Sequence, residues 1–448
     1  MRNDDLPPFG ALHLRVPPGL VAAFLASAAV LAGPGAARAQ VDVERFDGSF
    51  RLVTGEVVTG GYMVEGDGFW IYMDVEGLDR GGAFRPGATP GTFVSFAPPD
   101  GAVTLEFRAP RDGFYDSLVW REGGRTLRGA RVHPHTSRIV SFTSADGTRL
   151  AGRLLLPRCE GPHPAVVTVH GSGPANRYGG TFHTFFLKHG IAVLAYDKRG
   201  YTDDPDPWRE PDLAAMSEDA AAAVRFAAGP PEVDPVRVGL WGSSQGGWVV
   251  PAAALAAPET AYMILRAGAA ATHLETILHE IRQEVRADGV EGMDLDHAMD
   301  LRREVYELAM RGAPAAAADS LVAPYMDEPW YQTAFGDGPI SELWSAHWWG
   351  WAGRNFRVAS APDVARYPGP VLWFLGERDE AVPLIATRAA LERAFAASPG
   401  EDQRVVIVEN APHSFLIPSD DGPPRYAEGV FSGMAEWLEA RGFTGPGC

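Results

Sequence analysis

Residues 236–247 read VRVGLWGSSQGG, and they contain the strongest structural signal in the chain. Val236–Trp241 is an apolar run of strand length, and the residues after Gly247 have the alanine-rich, apolar composition of a helix. Gly242-Ser243-Ser244-Gln245-Gly246 between them is a G-x-S-x-G pattern. On a sharp strand-to-helix turn the central residue of this pattern is strained and its side chain is exposed. We therefore predict that Ser244 is a nucleophile and that Ser243 points away.

Apolar runs alternate with helical stretches from Arg138 onward. The first two runs form a hairpin around Ala145-Asp146-Gly147, and the later ones are continuously apolar, as is typical of strands buried on both faces of a parallel sheet. This alternation predicts an α/β domain over 138–448, with a sheet flanked by helices. The predicted strands are Arg138–Thr143, Leu150–Leu156, Ala165–His170, Ile191–Tyr196, Val236–Trp241, Tyr262–Leu265, Val371–Leu375 and Arg404–Val408.

A serine nucleophile needs a base and an orienting acid, which in this pattern follow it in the order acid, then histidine. Asp379 lies a few residues past the run Val371–Leu375, and we expect it to be the acid. Glu377 and Glu380 are rivals, which we interpret as solvated loop charges. His413 follows the run Arg404–Val408, and we expect it to accept the Ser244 proton while Asp379 orients its imidazole.

A second loop has the composition needed to stabilise a developing oxyanion. His170-Gly171-Ser172-Gly173-Pro174 directly follows an apolar run, and its small residues let backbone N–H groups face a bound carbonyl. We expect one donor from Ser172, with Gly171 as the alternative, and the second from Gln245, the residue after the nucleophile. His170 comes too early in the chain for the base and is interpreted as a support for the loop.

These motifs together resemble the α/β-hydrolase superfamily, especially its bacterial esterases and the related prolyl-oligopeptidase-like branch. The matching residues are His170–Pro174, Asp197-Lys198-Arg199-Gly200 and Ser244-Gln245-Gly246-Gly247, and the resemblance extends over roughly 138–270 and 366–448. It implies the sheet order, the triad roles and the position of a cap. Two departures bear on substrate choice: Tyr201-Thr202-Asp203-Asp204 replaces the usual Gly-x-Ser, and Asn176 stands where an acidic residue often precedes arginine.

Two further regions flank or interrupt this α/β pattern. Residues 41–137 contain seven short β-like runs separated by Gly, Pro and Asp, which predict a small antiparallel sandwich or barrel. The runs are Phe50–Val53, Glu56–Met63, Phe69–Asp74, Gly91–Phe96, Val103–Arg108, Ser117–Arg121 and Arg125–Val132. We expect this sandwich or barrel to act as a scaffold or as a wall on the substrate side of the site, or alternatively as a carbohydrate- or peptide-binding module. His133-Pro134-His135 is interpreted as a polar linker. Residues from about 271 to 366 are mostly helical, and we expect a cap over the site. Trp348 and Trp349 within it form either an apolar wall for substrate or the core of the cap.

The first 39 residues have the pattern of an export signal. Arg2 and Arg15 precede the apolar stretch Leu20–Ala32, and Ala37-Arg38-Ala39 is a small-x-small cleavage site. The stretch is shorter than the about 20 residues that a membrane span needs, although an uncleaved anchor is the alternative. We expect cleavage after Ala39, a secreted or periplasmic protein, and no stable membrane span afterwards. Cleavage changes the net charge from −18 to −19. A protein with so negative a net charge is expected to repel nucleic acid and anionic lipid.

The sequence therefore predicts a serine esterase that acts on a small-molecule acyl substrate. A serine peptidase of the same superfamily and a non-catalytic pseudo-hydrolase that only binds ligands are the alternatives. Neither a metal nor an organic cofactor is suggested by the residues, and the oligomeric state is left open. Cys159 and Cys448, the two cysteines, either pair or stay free.

Overall fold

The structure is a computed structural model that describes residues 43–65, 68–75, 81–96, 102–111, 113–201, 208–417 and 424–446. The predicted export segment 1–39 and Thr202–Asp204 lie outside these residues, so the expectations for them stay predictions. Of the two alternatives for Cys159, the structure has the disulfide-bonded one, and Cys448 lies outside the described residues. Across the described residues, every helix is too short or too polar to cross a bilayer.

The N-terminal part is a closed antiparallel barrel of eight strands, which resolves the choice between sandwich and barrel. Closure occurs where the first strand of this part pairs with the last, with Ser49 opposite Val132. Gly81–Pro86 was not among the predicted strands, because only Ala83 and Phe84 in it are apolar and its glycines and proline are typical of turns. The strands are β1 (Gly48–Leu52), β2 (Val57–Glu65), β3 (Gly68–Val75), β4 (Gly81–Pro86), β5 (Thr92–Ser95), β6 (Thr104–Arg111), β7 (Phe114–Glu122) and β8 (Arg125–Val132).

Aromatic side chains fill the barrel. Phe50, Phe84 and Trp120 are buried in one cluster with aliphatic residues from the neighbouring strands. His135, just beyond the barrel, is buried and packs edge-on against Phe114 with the ring centroids 4.4 Å apart. His133 and Pro134 lie between two strands, as the interpretation as a linker expects, but that interpretation is wrong for His135, which begins the next strand and fills a packed position.

The second part is an eight-stranded sheet in the order β16-β15-β14-β13-β11-β12-β10-β9. Strand β10 is antiparallel to both of its neighbours, and the remaining pairs are parallel. Every residue of β11, β12 and β15 is buried, as their continuously apolar sequences predict. The strands are β9 (His135–Thr143), β10 (Arg149–Pro157), β11 (His163–Val169), β12 (Ala192–Tyr196), β13 (Val233–Ser243), β14 (Thr260–Arg266), β15 (Val371–Gly376) and β16 (Gln403–Val408).

Five helices cover the two faces of this sheet. Helices α1 (Thr181–Lys188) and α12 (Val430–Glu439) contribute to one buried cluster, and α2 (Leu213–Ala227), α3 (Gly246–Ala256) and α11 (Leu384–Ala397) contribute to the other. The sheet is therefore buried on both faces, and loops at its carboxyl edge are left to form a site. A two-residue strand pair, β17 (Leu416–Ile417) and β18 (Arg425–Tyr426), follows β16.

The predicted cap lies between β14 and β15 and consists of helices joined by short loops. Its first helix begins with a capping box, in which Thr272 Oγ1 accepts from the Glu275 N–H at 3.2 Å and the Glu275 carboxylate accepts from the Thr272 N–H at 3.0 Å. The helices are α4 (His273–Ala287), α5 (Gly292–Met310), α6 (Ala316–Val322), α7 (Tyr331–Phe335), α8 (Ile340–Leu343), α9 (Ala346–Asn355) and α10 (Ala361–Val364), with a 3₁₀ turn at Ala323–Tyr325.

The barrel contacts the α/β part through α1 and β18. The N–H of Gly180, just before α1, donates to the carbonyl oxygen of Tyr62 at 3.2 Å. On the other side of this contact the Tyr426 N–H donates to the Tyr72 hydroxyl at 3.0 Å, and the two rings pack edge-on. A Cβ on Gly180 would lie 2.3 Å from the backbone N and O of Tyr62, so the two parts meet backbone to backbone.

Gly180→Ala is expected to lower the melting temperature, because a methyl group at this contact forces the barrel away from α1. Overpacking of this kind costs about 1–3 kcal/mol. Gly433→Ala is the matched control: its new Cβ would lie 3.9 Å from the Phe374 ring, an ordinary contact inside a helix, so stability should stay equal or rise. Equal melting temperatures for wild type and Gly180→Ala, measured by thermal unfolding, would contradict the described contact.

Candidate active site

Ser244 lies on the predicted turn between β13 and α3. Its backbone φ is +52°, in the left-handed region that non-glycine residues rarely adopt. The Ser244 N–H donates to the carbonyl oxygen of Arg266 at 3.0 Å, and the Ser244 carbonyl accepts from the Gly247 N–H at 2.8 Å. The strained conformation is therefore held from β14 on one side and from α3 on the other.

Two of the glycines around Ser244, Gly242 and Gly247, are required for close packing, whereas Gly246 is not. A Cβ on Gly242 would lie 2.7 Å from Val250 Cγ2, so this glycine is sterically required. At Gly246 the nearest atoms would be 3.6 Å away, which is an ordinary contact. The second requirement falls on Gly247, whose Cβ would lie 2.7 Å from Gly268 Cα. Helix α3 thus approaches the chain after β14 through Gly247, and not through the last glycine of the pattern.

The structure brings Ser244, His413 and Asp379 together in one hydrogen-bonded line. Ser244 Oγ lies 3.0 Å from His413 Nε2, and His413 Nδ1 lies 2.9 Å from Asp379 Oδ1 and 3.0 Å from Oδ2. The Asp379 carboxylate also accepts from the N–H groups of Ala381 at 3.0 Å and Val382 at 2.8 Å. Its side chain is only 1% exposed and that of His413 is 22% exposed, so the acid is shielded while the imidazole still meets the site.

The two rival carboxylates also make specific contacts. Glu380 Oε2 accepts from the His413 N–H at 3.2 Å, and Glu377 Oε2 accepts from the Asn410 N–H at 2.8 Å. Glu377 is exposed and Glu380 is half-buried, as expected for loop charges, and each carboxylate also braces the loop that carries His413. Neither carboxylate is hydrogen-bonded to the His413 ring, which among the carboxylates of the described residues bonds to Asp379.

The charges around His413 favour its protonated form. Burial lowers the pKa of His413, but the hydrogen bond and the negative charge of Asp379 outweigh burial, so the pKa is raised overall. Arg266 opposes this rise and Glu380 adds to it. His413 is thus well suited to take up a proton from Ser244.

The loop after β11 lies directly beside the serine turn. A Cβ on Gly171 would be 3.5 Å from Ser244 Cβ, which is contact distance. The Gly173 N–H donates to Glu210 Oε2 at 3.0 Å and is therefore occupied. Within the described part of the chain, the backbone N–H groups of Ser172 and Gln245 make no hydrogen bond. Both predicted donor segments thus border Ser244.

His170 packs beneath this loop. Its Nε2 is hydrogen-bonded to the carbonyl oxygen of Tyr196, and burial together with the charge of Lys198 lowers the pKa of His170 to about 4. The ring is therefore neutral at pH 7. These contacts are those of a structural support.

Sequence reasoning missed Arg266, at the end of β14. Its Nη1 donates to the carbonyl oxygens of His413 at 3.2 Å and Ser414 at 2.8 Å, and its Nη2 donates to Ser243 Oγ at 2.6 Å. Arg266 therefore joins the serine turn to the histidine loop. The sequence offered one sign of its importance: Arg266 is a charged residue directly after the apolar run Tyr262–Leu265. The strand formed by that run pairs with the strand that leads to Ser244.

Helix α4 of the cap also faces the triad. A hydrogen bond to the backbone of Asp379 partly offsets the lowering of the His279 pKa by burial. Burial and the carboxylate of Glu284 raise the pKa of Glu280 to about 7, with His413 opposing the rise. Acidic side chains of the cap are thus close enough to influence the site.

Trp348 and Trp349 lie on α9, in the interior of the cap. Trp348 stacks on Trp351 with the ring centroids 5.0 Å apart, and Trp349 Nε1 donates to the carbonyl oxygen of Ala313 at 2.7 Å. Both are buried, at 2% and 8% exposure. Ring contacts within the described chain join them to other cap aromatics and not to the triad. Their proposed role as a substrate wall stays a prediction.

Within the described ranges, no three His, Cys, Asp or Glu residues are grouped so as to hold a metal ion.

Comparison with known proteins gives partial matches. A thiohydrolase of Aspergillus aculeatus, aneE, is 37% identical over 110 residues, covering 24% of this chain and 34% of that protein. Esterase EstD of Thermotoga maritima is 34% identical over 121 residues, covering 25% of this chain and 29% of that protein. The chain thus spans about a third of the length of these relatives. The structure of the Pyrococcus furiosus esterase PF2001 is 17% identical, with a TM-score of 0.44 over 68% of this chain and 91% of that one.

The match to a family is broader. The model of the alpha/beta hydrolase family covers residues 166–428, from the strand that precedes the Gly171 loop to the segment beyond His413. This is more than half of the chain. The sheet order and the serine turn agree with that match, and the chain belongs to the alpha/beta hydrolase family.

Proposed function

We propose that this protein is a serine hydrolase that cleaves carboxylic esters through an acyl-enzyme on Ser244. The observation that carries the proposal is the continuous line from Ser244 Oγ to His413 Nε2, 3.0 Å, and from His413 Nδ1 to Asp379 Oδ1, 2.9 Å. Such an arrangement activates a hydroxyl that is otherwise a weak nucleophile. The names of the esterase and thiohydrolase relatives support attack on an acyl carbon.

In the first half of the reaction, His413 Nε2 takes the proton from Ser244 Oγ as the oxygen attacks the acyl carbon. The carbonyl oxygen becomes an oxyanion, which accepts hydrogen bonds from the N–H groups of Gln245 and of Ser172 or Gly171. The buried carboxylate of Asp379 stabilises the imidazolium. His413 then returns the proton to the leaving alcohol, the bond between the acyl carbon and the alcohol oxygen breaks, and the acyl group stays on Ser244.

In the second half, water replaces the alcohol and the same steps run in reverse. His413 takes a proton from the water, the hydroxyl oxygen attacks the acyl carbon, and Ser244 Oγ leaves with the proton returned by His413. The products are a carboxylic acid and the free enzyme. Apart from the ester, which we propose to be a small-molecule acyl substrate, and water, these steps use only groups of this chain. Export from the cytoplasm remains part of this proposal.

Ser244→Ala is expected to lower kcat for p-nitrophenyl acyl esters by about 10⁶ and to abolish labelling by a fluorophosphonate probe, because the attacking oxygen is removed. Ser243→Ala is the matched control, since Ser243 is adjacent and its hydroxyl contacts Arg266 at 2.6 Å, and it should still be labelled. Labelling that persists in Ser244→Ala would refute the mechanism. Cleavage of aminoacyl anilides without ester cleavage would favour the peptidase alternative, and no turnover or labelling by wild type would favour a pseudo-hydrolase.

Asp379→Asn should lower kcat by about 10⁴ with little change in folding, because an amide cannot stabilise the imidazolium and favours the wrong tautomer. Glu377→Gln on the same loop should retain near wild-type kcat, since among the described residues its side chain accepts from the Asn410 N–H and not from the His413 ring. Steady-state kinetics of the two variants decide whether Asp379 has been assigned correctly. Equal losses in both would contradict the assignment.

The acid limb of the pH profile of kcat/KM should lie above pH 6.5, the usual pKa of histidine, because the pKa of His413 is raised and only its neutral form accepts a proton. Glu380→Gln removes a negative charge that favours the imidazolium, so the pKa of His413 should fall and the limb should move to lower pH. Glu377→Gln should leave the limb unchanged. At each pH, kcat/KM is obtained from initial rates over a range of ester concentrations. A limb that stays in place in Glu380→Gln would contradict this electrostatic account.

A further inference from the structure

A single buried ammonium group, that of Lys198, touches both segments that border the proposed oxyanion position. Lys198 is 3% exposed and follows β12. Its Nζ donates to the carbonyl oxygens of Gly171 at 2.9 Å and Gly173 at 3.1 Å, to Gln245 Oε1 at 2.8 Å, and to Glu210 Oε1. An ammonium has three N–H groups, so one of them is shared between two of these four oxygens. Burial lowers the pKa of Lys198, whereas the charge and the hydrogen bond of Glu210 oppose this lowering, and the four acceptors favour the protonated form.

These contacts fix the direction in which the backbone donors point. When the carbonyl groups of Gly171 and Gly173 are held towards Lys198, the intervening peptide planes cannot rotate, and the N–H of Ser172 keeps one orientation. Glu210 strengthens this restraint, because its second oxygen accepts from the Gly173 N–H at 3.0 Å. The same ammonium holds the side chain of Gln245, and the backbone N–H of Gln245 is the other proposed donor. Preorganised donors are what makes an oxyanion hole effective.

The neighbouring residue provides an internal comparison. Arg199 forms an ion pair with Asp219, whose side chain is 1% exposed, and also contacts Asp146 and Ser144. This second buried pair therefore ties the β12 loop to α2 and to the β9–β10 turn. Its contacts in the described chain do not include the Gly171 loop or Gln245. Lys198 and Arg199 thus both pair with a buried carboxylate, that of Glu210 or Asp219. Of the two cations, Lys198 is the one that contacts the segments beside Ser244.

The Glu210 segment is held in turn by α9 of the cap. His347 Nε2 is hydrogen-bonded to the Glu210 carbonyl oxygen at 3.0 Å, and Trp351 Nε1 donates to the Pro211 carbonyl oxygen at 2.8 Å. Arg354 Nε donates to the Asp212 carboxylate at 2.9 Å. The position of Glu210, and through it that of Lys198, therefore depends on contacts with the cap.

We propose that Lys198 is the positioning residue of the oxyanion hole, and that Glu210, anchored by the cap, keeps its ammonium in place. This inference rests on the proposed function of Ser244. It predicts that removing the ammonium mainly weakens stabilisation of the transition state and has a smaller effect on ester binding in the ground state.

Lys198→Met is expected to lower kcat by about 10², the loss typical of one oxyanion donor, while KM changes by no more than a few-fold. The affinity for a trifluoromethyl ketone, which forms a tetrahedral oxyanion on the serine, should fall by a similar factor. The double variant Arg199→Met, Asp219→Asn is the matched control, because it removes the adjacent ion pair. Its kcat, calculated per folded molecule, should stay within a few-fold of wild type.

A purely structural role for the pair is distinguished by the double variant Lys198→Met, Glu210→Gln. Removing both charges avoids an unpaired buried carboxylate, and glutamine still accepts from the Gly173 N–H, so the melting temperature should recover towards wild type. Under the proposal kcat stays low despite this recovery. If kcat recovers together with stability, or if Lys198→Met raises KM without lowering kcat, the positioning role is wrong. Failure of the proposed function would show itself separately, as activity that survives in Ser244→Ala.

Discussion

The φ of +52° at Ser244 is a conformation that costs a non-glycine residue free energy, and the surrounding structure has to hold it in place. On one side, β13 is paired between β11 and β14, and the Ser244 N–H bonds to the last residue of β14. On the other side, α3 packs against Gly268 with no side chain between them at Gly247. A shift of either support would move Oγ away from His413 Nε2, and the hydrogen-bonded line through Asp379 would end at a histidine without a partner.

The parallel strands bring the remaining groups to the same edge. Because such strands all end at one edge of the sheet, residues that directly follow different strands become neighbours although they are far apart in sequence. Each of six consecutive strands contributes one element: the Gly171 loop after β11, Lys198 after β12, Ser244 after β13, Arg266 at the end of β14, Asp379 after β15 and His413 after β16. The barrel and the cap add contacts around this edge. Tyr72 of the barrel is hydrogen-bonded to Tyr426, and His347 of the cap is hydrogen-bonded to Glu210.

The hydrogen-bonded line of Ser244, His413 and Asp379 could be expected from the sequence because each residue obeys a local rule. Each follows an apolar run in a fixed chain order, and that order is readable without knowing which strands are neighbours. Arg266 and Lys198 could not be assigned in this way, since their importance comes from contacts across strands. Likewise Gly81–Pro86 has few apolar residues of its own and becomes a strand because β3 and β5 supply partners on both sides. Tertiary pairing decides such segments, and local composition does not.

The pairing of β1 with β8 limits how the N-terminal part can vary. In an open sheet the loss of an outer strand leaves the other pairs intact, but the loss of any strand from a ring exposes two unpaired edges, which are prone to aggregate. Residues 48–132 therefore form a unit that is expected to be gained or deleted whole during evolution. The hydrolase sheet, whose outer strands are β9 and β16, is not subject to this restriction and can tolerate additions at either side.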